Sequence, residues 1–365
     1  MNYFSLELTE WYRAGIILLN IGKGIFSMRL KSSCVKQNIL KRWWRLPWGK
    51  FGISFAVTLL AEFLAVVLVL YGPIAFIREM LITSAMTTLN HQYYATTFYS
   101  EEKIQEVLDG NKVVPLKTKT DPSAITAEGG EGIRFRKIKG LGYKGYILEI
   151  ADPAWVHLGI PENFGHAGEK LPALVEAYGA LGGINAGGFL EGSRGQANGL
   201  VVLDGKALQQ PDKGDANVVG FNQEGVLLLG KYKEEEIEAL NLQDACEFKP
   251  FLIINGEPAE IRGNGGWGIA PRTAIGQRQD GVVLLVVIDG RSLSSLGATM
   301  KQLQQVLLDE GAYNAANLDG GTSSVMYYEG KVVSNPSGDE PDGMRELPNA
   351  WLVMDPKDYS APSGR

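Results

Sequence analysis

The stretch NLDGGTSS, from Asn317 to Ser324, places one carboxylate, two glycines and three hydroxyls in a single tight run. Glycine lets a backbone turn sharply or approach a ligand closely, and Asp319, Thr322, Ser323 and Ser324 ring that turn with acceptors and donors. The same residue types also decorate ordinary hairpin corners. Three more runs of this kind follow the same grammar: GGINAGGF (182–189), APRTAIG (270–276) and IDGRS (288–292). Four polar corners at the ends of regular elements, where side chains can converge, point to one shared site.

The elements that must position these corners are mostly strands. Short apolar runs broken by glycine occur at 143–152, 199–208, 218–230, 250–259, 282–290 and 324–334, and four of them contain a reversal signal, DGK, QEG, NGE or EGK. The run VVLLVVI is too continuously apolar for a half-exposed strand and is expected to be central, covered on both faces. Helical spacing appears in EKLPALVEAYGALG (169–182) and TMKQLQQVLLDEG (299–311). The expected domain, 133–357, is α+β, a mostly antiparallel or mixed sheet framework with two or more helices. A short tail, 358–365, follows it.

Upstream, the composition changes. Residues 1–50 hold nine Lys/Arg against two acids, which is +7, so the rest of the chain carries −13 to reach the overall −6. That acidic remainder excludes a nucleic-acid surface, which needs clustered cations. Residues 51–77 are apolar apart from Glu62 and are long enough for a bilayer core. The flanking KRWWRLPWGK supplies cations and tryptophans of the interfacial kind, and the positive segment is expected to stay in the cytoplasm, with the C-terminal domain extracytoplasmic at the cell membrane. An uncleaved signal-anchor fits the long basic region better than a cleavable signal, although TSA at 83–85 is a passable cleavage site. Glu62 inside the span invites protonation or a partner helix. Residues 78–132 read as a helical stalk and a linker. This topology sets Cys34 and Cys246 on opposite sides of the membrane, so no intramolecular disulfide is expected.

In their order along the chain, GGINAGGF, PRTAIG, IDGR and NLDGGTSS, followed by NPSG (335–338), resemble the phosphodiester glycosidase family, some of whose bacterial members are exopolysaccharide-related. The resemblance covers about 225 residues, leaving out the tail, span and stalk. It departs mildly from the family pattern at Ala186 and Thr322, where glycine is usual. The resemblance implies hydrolysis of a sugar-1-phosphodiester in envelope or exopolysaccharide glycans. The residue types suit that chemistry. An oxocarbenium-like transition state needs a carboxylate near the anomeric carbon, and a departing phosphomonoester needs cations more than a strong acid. Asp289 and Asp319 are the candidate carboxylates, and Arg272 and Arg291 the candidate phosphate clamps. Asn185, Gly187, Gly188, Thr273, Gly320, Gly321, Thr322 and Ser323 are the candidate substrate-binding positions.

Other roles are open for several of these residues. Asp289 or Asp319 could cap a turn, and Arg272 could be the buried partner of either. Glu191 is a reserve acid, while His157 and His166 read as surface or packing residues. A divalent cation is left open, since Asp and Asn are oxygen ligands, though no recognisable calcium loop is present. The competing functions are a glycan-binding module that kept the fold and lost the chemistry, and a membrane scaffold of an exopolysaccharide system.

Overall fold

A computed structural model describes residues 48–87, 91–126, 130–190, 192–193, 195–212 and 214–355. The basic segment up to residue 47, Glu191 and the tail 358–365 therefore lie outside the described residues. The chain divides into two units, one ending at Val69 and the other starting at Leu70.

Helix α1 (Trp48–Tyr71) contains one stretch, Ser54–Tyr71, long and apolar enough to cross a membrane. The second unit opens with three helices, α2 (Ala75–Met86), α3 (Tyr93–Thr96) and α4 (Glu101–Gly110). Ser100 caps α4 by accepting from the Lys103 N–H. The strand region follows in the order β1 (Ile133–Gly140), β2 (Tyr143–Ile150), β3 (Val156–Gly159), α5 (Leu171–Ala177), β4 (Ala180–Asn185), β5 (Val201–Leu203) and β6 (Lys206–Gln209). Next come β7 (Asp215–Asn222), β8 (Leu227–Lys233), α6 (Glu234–Ile237), β9 (Leu242–Glu247), β10 (Phe251–Ile254), β11 (Glu257–Pro258), β12 (Arg272–Gln277) and β13 (Val283–Ile288). The chain closes through α7 (Met300–Asp309), β14 (Asn314–Asn317), β15 (Met326–Tyr328), β16 (Lys331–Val332) and β17 (Ala350–Met354).

These strands form three sheets, ordered β1-β2-β13-β12-β14-β10-β11, β16-β15-β4-β17-β3 and β6-β5-β9-β7-β8. Every pairing among them is antiparallel. The reversals expected at DGK, NGE and EGK are two-residue turns with positive φ at both positions, Asp204-Gly205, Asn255-Gly256 and Glu329-Gly330.

Strand β13 is the centre of the packing. All six of its residues are buried. Val283, Leu285 and Val287 face the core shared by the three sheets, whereas Leu284, Val286 and Ile288 face a second core under α7. Two-sided burial explains the unbroken apolar run. Helix α7 begins with a capping box between Thr299 and Gln302 and buries Met300, Leu303, Val306 and Leu307. Helix α5 covers the outer face of the second sheet through Leu171, Leu174 and Val175.

The stretch expected as a helical stalk and a linker, 78–132, is hydrogen-bonded to the strand domain. Asn264 Nδ2 donates to Thr83 Oγ1 at 2.9 Å, and the Asn264 N–H donates to Asn111 Oδ1 at 2.9 Å, which fastens α2 and the end of α4 to the strand domain. The following segment is a strap. Val114 N–H donates to Glu260 O, Thr120 exchanges bonds with Leu229, and Asn255 binds the backbone at Lys119 and Asp121. Backbone pairing of this kind needs few apolar side chains, so the composition of 111–125 did not announce it.

Candidate active site

The polar corners meet at one edge of the docked sheets. Asn185 ends β4, Arg272 begins β12, Asp289 follows β13, and Asp319 lies just past β14. Asn185 Nδ2 donates to Asp319 O at 2.5 Å, while its Oδ1 accepts from Thr273 Oγ1 at 2.9 Å and from Val325 N–H at 3.1 Å. Backbone bonds tighten the junction: Asp319 N–H to Ala186 O, Leu318 N–H to Thr273 O and Gly321 N–H to Pro271 O. Asn185 and Thr273, expected to face substrate, are thus buried and largely engaged with protein, and one Nδ2 hydrogen of Asn185 has no such bond among the described residues.

Asp319 is half-buried and closely ringed by protein. Desolvation pushes its pKa up to about 6, against the lowering effects of the Ser323 hydroxyl, the nearby Arg345 charge and the Gly320 N–H. A carboxylate poised there changes charge near neutral pH, as a group that handles protons during a reaction does.

The guanidinium of Arg272 is buried and held by backbone carbonyls alone. Nε donates to Ala298 O at 2.9 Å, and one Nη donates to Trp267 O at 2.7 Å and Gly268 O at 2.8 Å. Burial, reinforced by the neighbouring charge of Arg291, lowers its pKa to about 9, so it stays cationic at neutral pH. Among the described residues no carboxylate pairs with it, which sets aside a role as the buried partner of Asp289 or Asp319. Arg291 sits in the left-handed region at φ 54, a strained backbone for a long side chain. Its Nη2 lies 3.4 Å from where a Cβ on Gly321 would stand, so the IDGR and NLDGG corners touch.

The glycines are there for close approach. Gly187 N–H donates to Asn349 Oδ1 at 2.7 Å, and a Cβ on Gly320 would meet Pro271 O at 3.0 Å. Gly188 lies beside the Phe248 ring, and Thr322 is half-buried at the corner. Asp289 is turned to structure: Oδ2 accepts from Tyr146 Oη at 3.1 Å, and Oδ1 from Asn335 N–H at 2.8 Å. Burial raises its pKa, while these two bonds and Lys144 oppose the rise. The NPSG motif therefore acts as the backbone donor for Asp289.

Two residues escaped sequence reasoning. Arg345 is the cation acting on Asp319, and its guanidinium lies 3.6 Å over the Phe189 ring. Asn349 binds both the Gly187 N–H and, through its carbonyl, the Ala186 N–H. Neither carries a motif of its own, although both precede the apolar run of β17. Asn317 Oδ1 is also buried without a hydrogen-bond partner among the described residues.

His157 is engaged with other partners. His157 Nδ1 lies 2.9 Å from Asp244 Oδ2 and Nε2 lies 3.0 Å from Ala154 O. Ligand atoms of His157, Asp204 and Asp244 lie within 4.8 Å of one another, but both ring nitrogens already face acceptors, which does not suit a metal ligand.

Residues 178–354 match the phosphodiester glycosidase family model. This part of the chain belongs to the phosphodiester glycosidase family. The chain is 32% identical over 178 residues to the SPbeta prophage-derived uncharacterized protein YomE of Bacillus subtilis, covering 46% of this chain and 27% of that protein. It is 26% identical over 231 residues to N-acetylglucosamine-1-phosphodiester alpha-N-acetylglucosaminidase of Mus musculus, covering 58% and 44%. It thus spans less than half the length of these curated relatives. The glycosidase fold is seen again in the zebrafish N-acetylglucosamine-1-phosphodiester alpha-N-acetylglucosaminidase catalytic domain auto-inhibited by its pro-peptide, at TM-score 0.54, 22% identity and coverage of 65% and 88%. All four corners, Arg345 and Asn349 fall within the matched phosphodiester glycosidase region.

Proposed function

We propose that the chain is a membrane-anchored, extracytoplasmic hydrolase that cleaves the bond between the anomeric carbon and the phosphate oxygen of a sugar-1-phosphodiester in envelope or exopolysaccharide glycans. One observation carries this reading: Arg272 is a fixed, buried cation with no carboxylate partner among the described residues, joined by Arg291, at the junction where Asp319 has a pKa near 6. Two guanidiniums suit a diester phosphate: Arg272 keeps one Nη group beyond its three carbonyl bonds, and Arg291 adds a second cation beside it. Their charge stabilises the phosphomonoester as the C1–O bond breaks.

Asp319, ionised and oriented by Ser323, Gly320 and Arg345, faces the positive charge that develops at the anomeric carbon. Water supplies the new C1 oxygen, and its proton passes through the carboxylate to solvent. Asp289 positions this machinery by fixing Tyr146 and the backbone at Asn335. The candidate span Ser54–Tyr71 supports the anchored placement, and the positive flank supports its orientation.

Hydrolysis of an N-acetylglucosamine-1-phosphodiester in heavy-oxygen water tests the reading, the sugar being the one in the mouse relative's name. The label is expected in the released sugar. Label in the phosphate would mean P–O cleavage and a different enzyme class, and binding without turnover would favour the glycan-binding module.

A further inference from the structure

The β1–β2 hairpin turns at Leu141-Gly142, and the loop after β13 turns at Ser292–Ser295. Hydrogen bonds lace the two tips together. Leu296 N–H donates to Gly142 O at 2.8 Å, Lys144 N–H donates to Ser295 Oγ at 3.0 Å, and Gln302 Nε2 donates to Leu141 O at 3.0 Å. Turns usually carry polar residues, yet leucines project from this fixed pair, with Leu141 91%, Leu293 107% and Leu296 58% exposed. A well-tied loop that keeps leucines in water is presenting them to something.

The charge around them says what. Lys137, Lys139 and Lys144 are exposed and form no ion pair among the described residues. Lys139 and Lys144 stand directly opposite each other in the hairpin register, an arrangement that is unfavourable unless an anion lies between or above them. Among the described residues, the acids whose charge is felt here are Asp289 at Lys144, Asp309 at Tyr143 and Asp339 at Arg291. Unpaired cations gathered here are notable in a chain that carries −13 beyond residue 50. Projecting leucines ringed by lysines match the layered chemistry of an anionic bilayer surface, apolar just below the phosphates. The same chain also carries a helix able to span a membrane.

We propose that the laced tips form a membrane-docking edge, with Leu141, Leu293 and Leu296 entering the interface of an anionic bilayer and Lys139 and Lys144 binding its phosphate headgroups. Arg291 stands at the base of the same loop with its guanidinium beside Gly321, so docking sets the candidate cleft next to the headgroup layer. The proposal goes beyond the hydrolase reading and survives its failure.

The test uses the full chain, purified in detergent and reconstituted into phosphatidylcholine vesicles with or without phosphatidylglycerol. An environment-sensitive fluorophore is attached at Leu293→Cys in a Cys34→Ser background; Cys246 is buried and does not label. A matched label at Leu208→Cys, on exposed β6, is the control. At position 293 the emission is expected to shift to the blue and to be quenched by nitroxide lipids in the anionic vesicles only. Lys139→Gln with Lys144→Gln should abolish most of that response, and Lys139→Glu with Lys144→Glu all of it. Emission at 293 as water-like as at 208, or a response indifferent to both lipid charge and the lysines, would overturn the proposal.

Discussion

Asn185 and Asp319 are joined where the polar corners meet, side-chain amide to backbone carbonyl, at 2.5 Å. Through its oxygen, the same amide also holds Thr273 and Val325, so one buried side chain ties β4 to β12 and to the approach of β15. Asn185→Ala is expected to remove three hydrogen bonds and to leave buried groups unpaired, at about 3 kcal/mol or more. Urea unfolding should show the loss as a lower midpoint with an unchanged slope. A stability change within error would mean that Asn185 is held for substrate and not for architecture.

Asp319→Asn separates chemistry from stability. If the ionised carboxylate stabilises the transition state by about 3 to 4 kcal/mol, turnover should fall roughly a hundred- to a thousandfold. Stability should move the other way. The wild-type carboxyl titrates near 6 when folded, against about 4 unfolded, so ionising it weakens the fold as pH rises from about 4 to 6, by up to roughly 3 kcal/mol. The Asn variant escapes that loss, and its melting temperature relative to wild type should climb between pH 4 and 7. A variant that melts early at neutral pH but turns over normally would return Asp319 to the role of a turn cap.

Arg272→Lys should lower kcat/KM about a hundredfold, near 2.7 kcal/mol, with KM rising as well as kcat falling. An ammonium cannot span Ala298 O, Trp267 O and Gly268 O and still present an edge to phosphate. Steady-state kinetics over a range of diester concentrations decide the point. An unchanged KM would remove Arg272 from substrate binding.

Gly268 is a structural link between Ser84 on α2, the first element of the helical arm 75–110, and Arg272. Its φ is +57, and a Cβ there would lie 2.0 Å from Ser84 Oγ and 3.0 Å from Ser84 Cα. Gly268→Ala should displace the carbonyl that holds Arg272, lowering the melting temperature and cutting activity at least about tenfold. A companion comparison follows from the same contact. A fragment starting at Leu70 should retain activity that a fragment starting at Ile133 loses, because the second lacks Ser84, Thr83 and Asn111. Equal activity of the two fragments would show that the arm is dispensable.

That last expectation runs against the domain bounds read from the sequence, which placed the domain at 133–357 and left 78–132 as stalk and linker. The hairpins were legible because their turns need residues that accept positive φ, as at Asn255-Gly256, and β13 was legible because two-sided burial demands an unbroken apolar run. The polar corners were legible for a similar reason, their glycines marking places where backbone meets backbone. The arm was not. GNGGWG (263–268) has no period of its own, and its partners Asn111 and Thr83 lie 153 and 181 positions from Asn264. Arg345 was equally silent, since its relation to Asp319 and Phe189 exists only once β17 has brought the chain back. Asp289 was legible only as an alternative, since an acid before glycine at a strand end serves capping as readily as catalysis, and its bonds to Tyr146 and Asn335 come from distant parts of the chain.

The seam between sheets gives the site its cooperativity. Asn185 belongs to the sheet of β4 and β17, whereas Thr273 and Arg272 belong to that of β12 and β13, and the bond between Asn185 and Thr273 crosses from one to the other. Neither sheet alone contains the site. Heating should therefore extinguish the activity and melt the shared core in one transition, without a folded but inactive stage, and the enzyme's own turnover becomes a sensor of whether its two halves are docked.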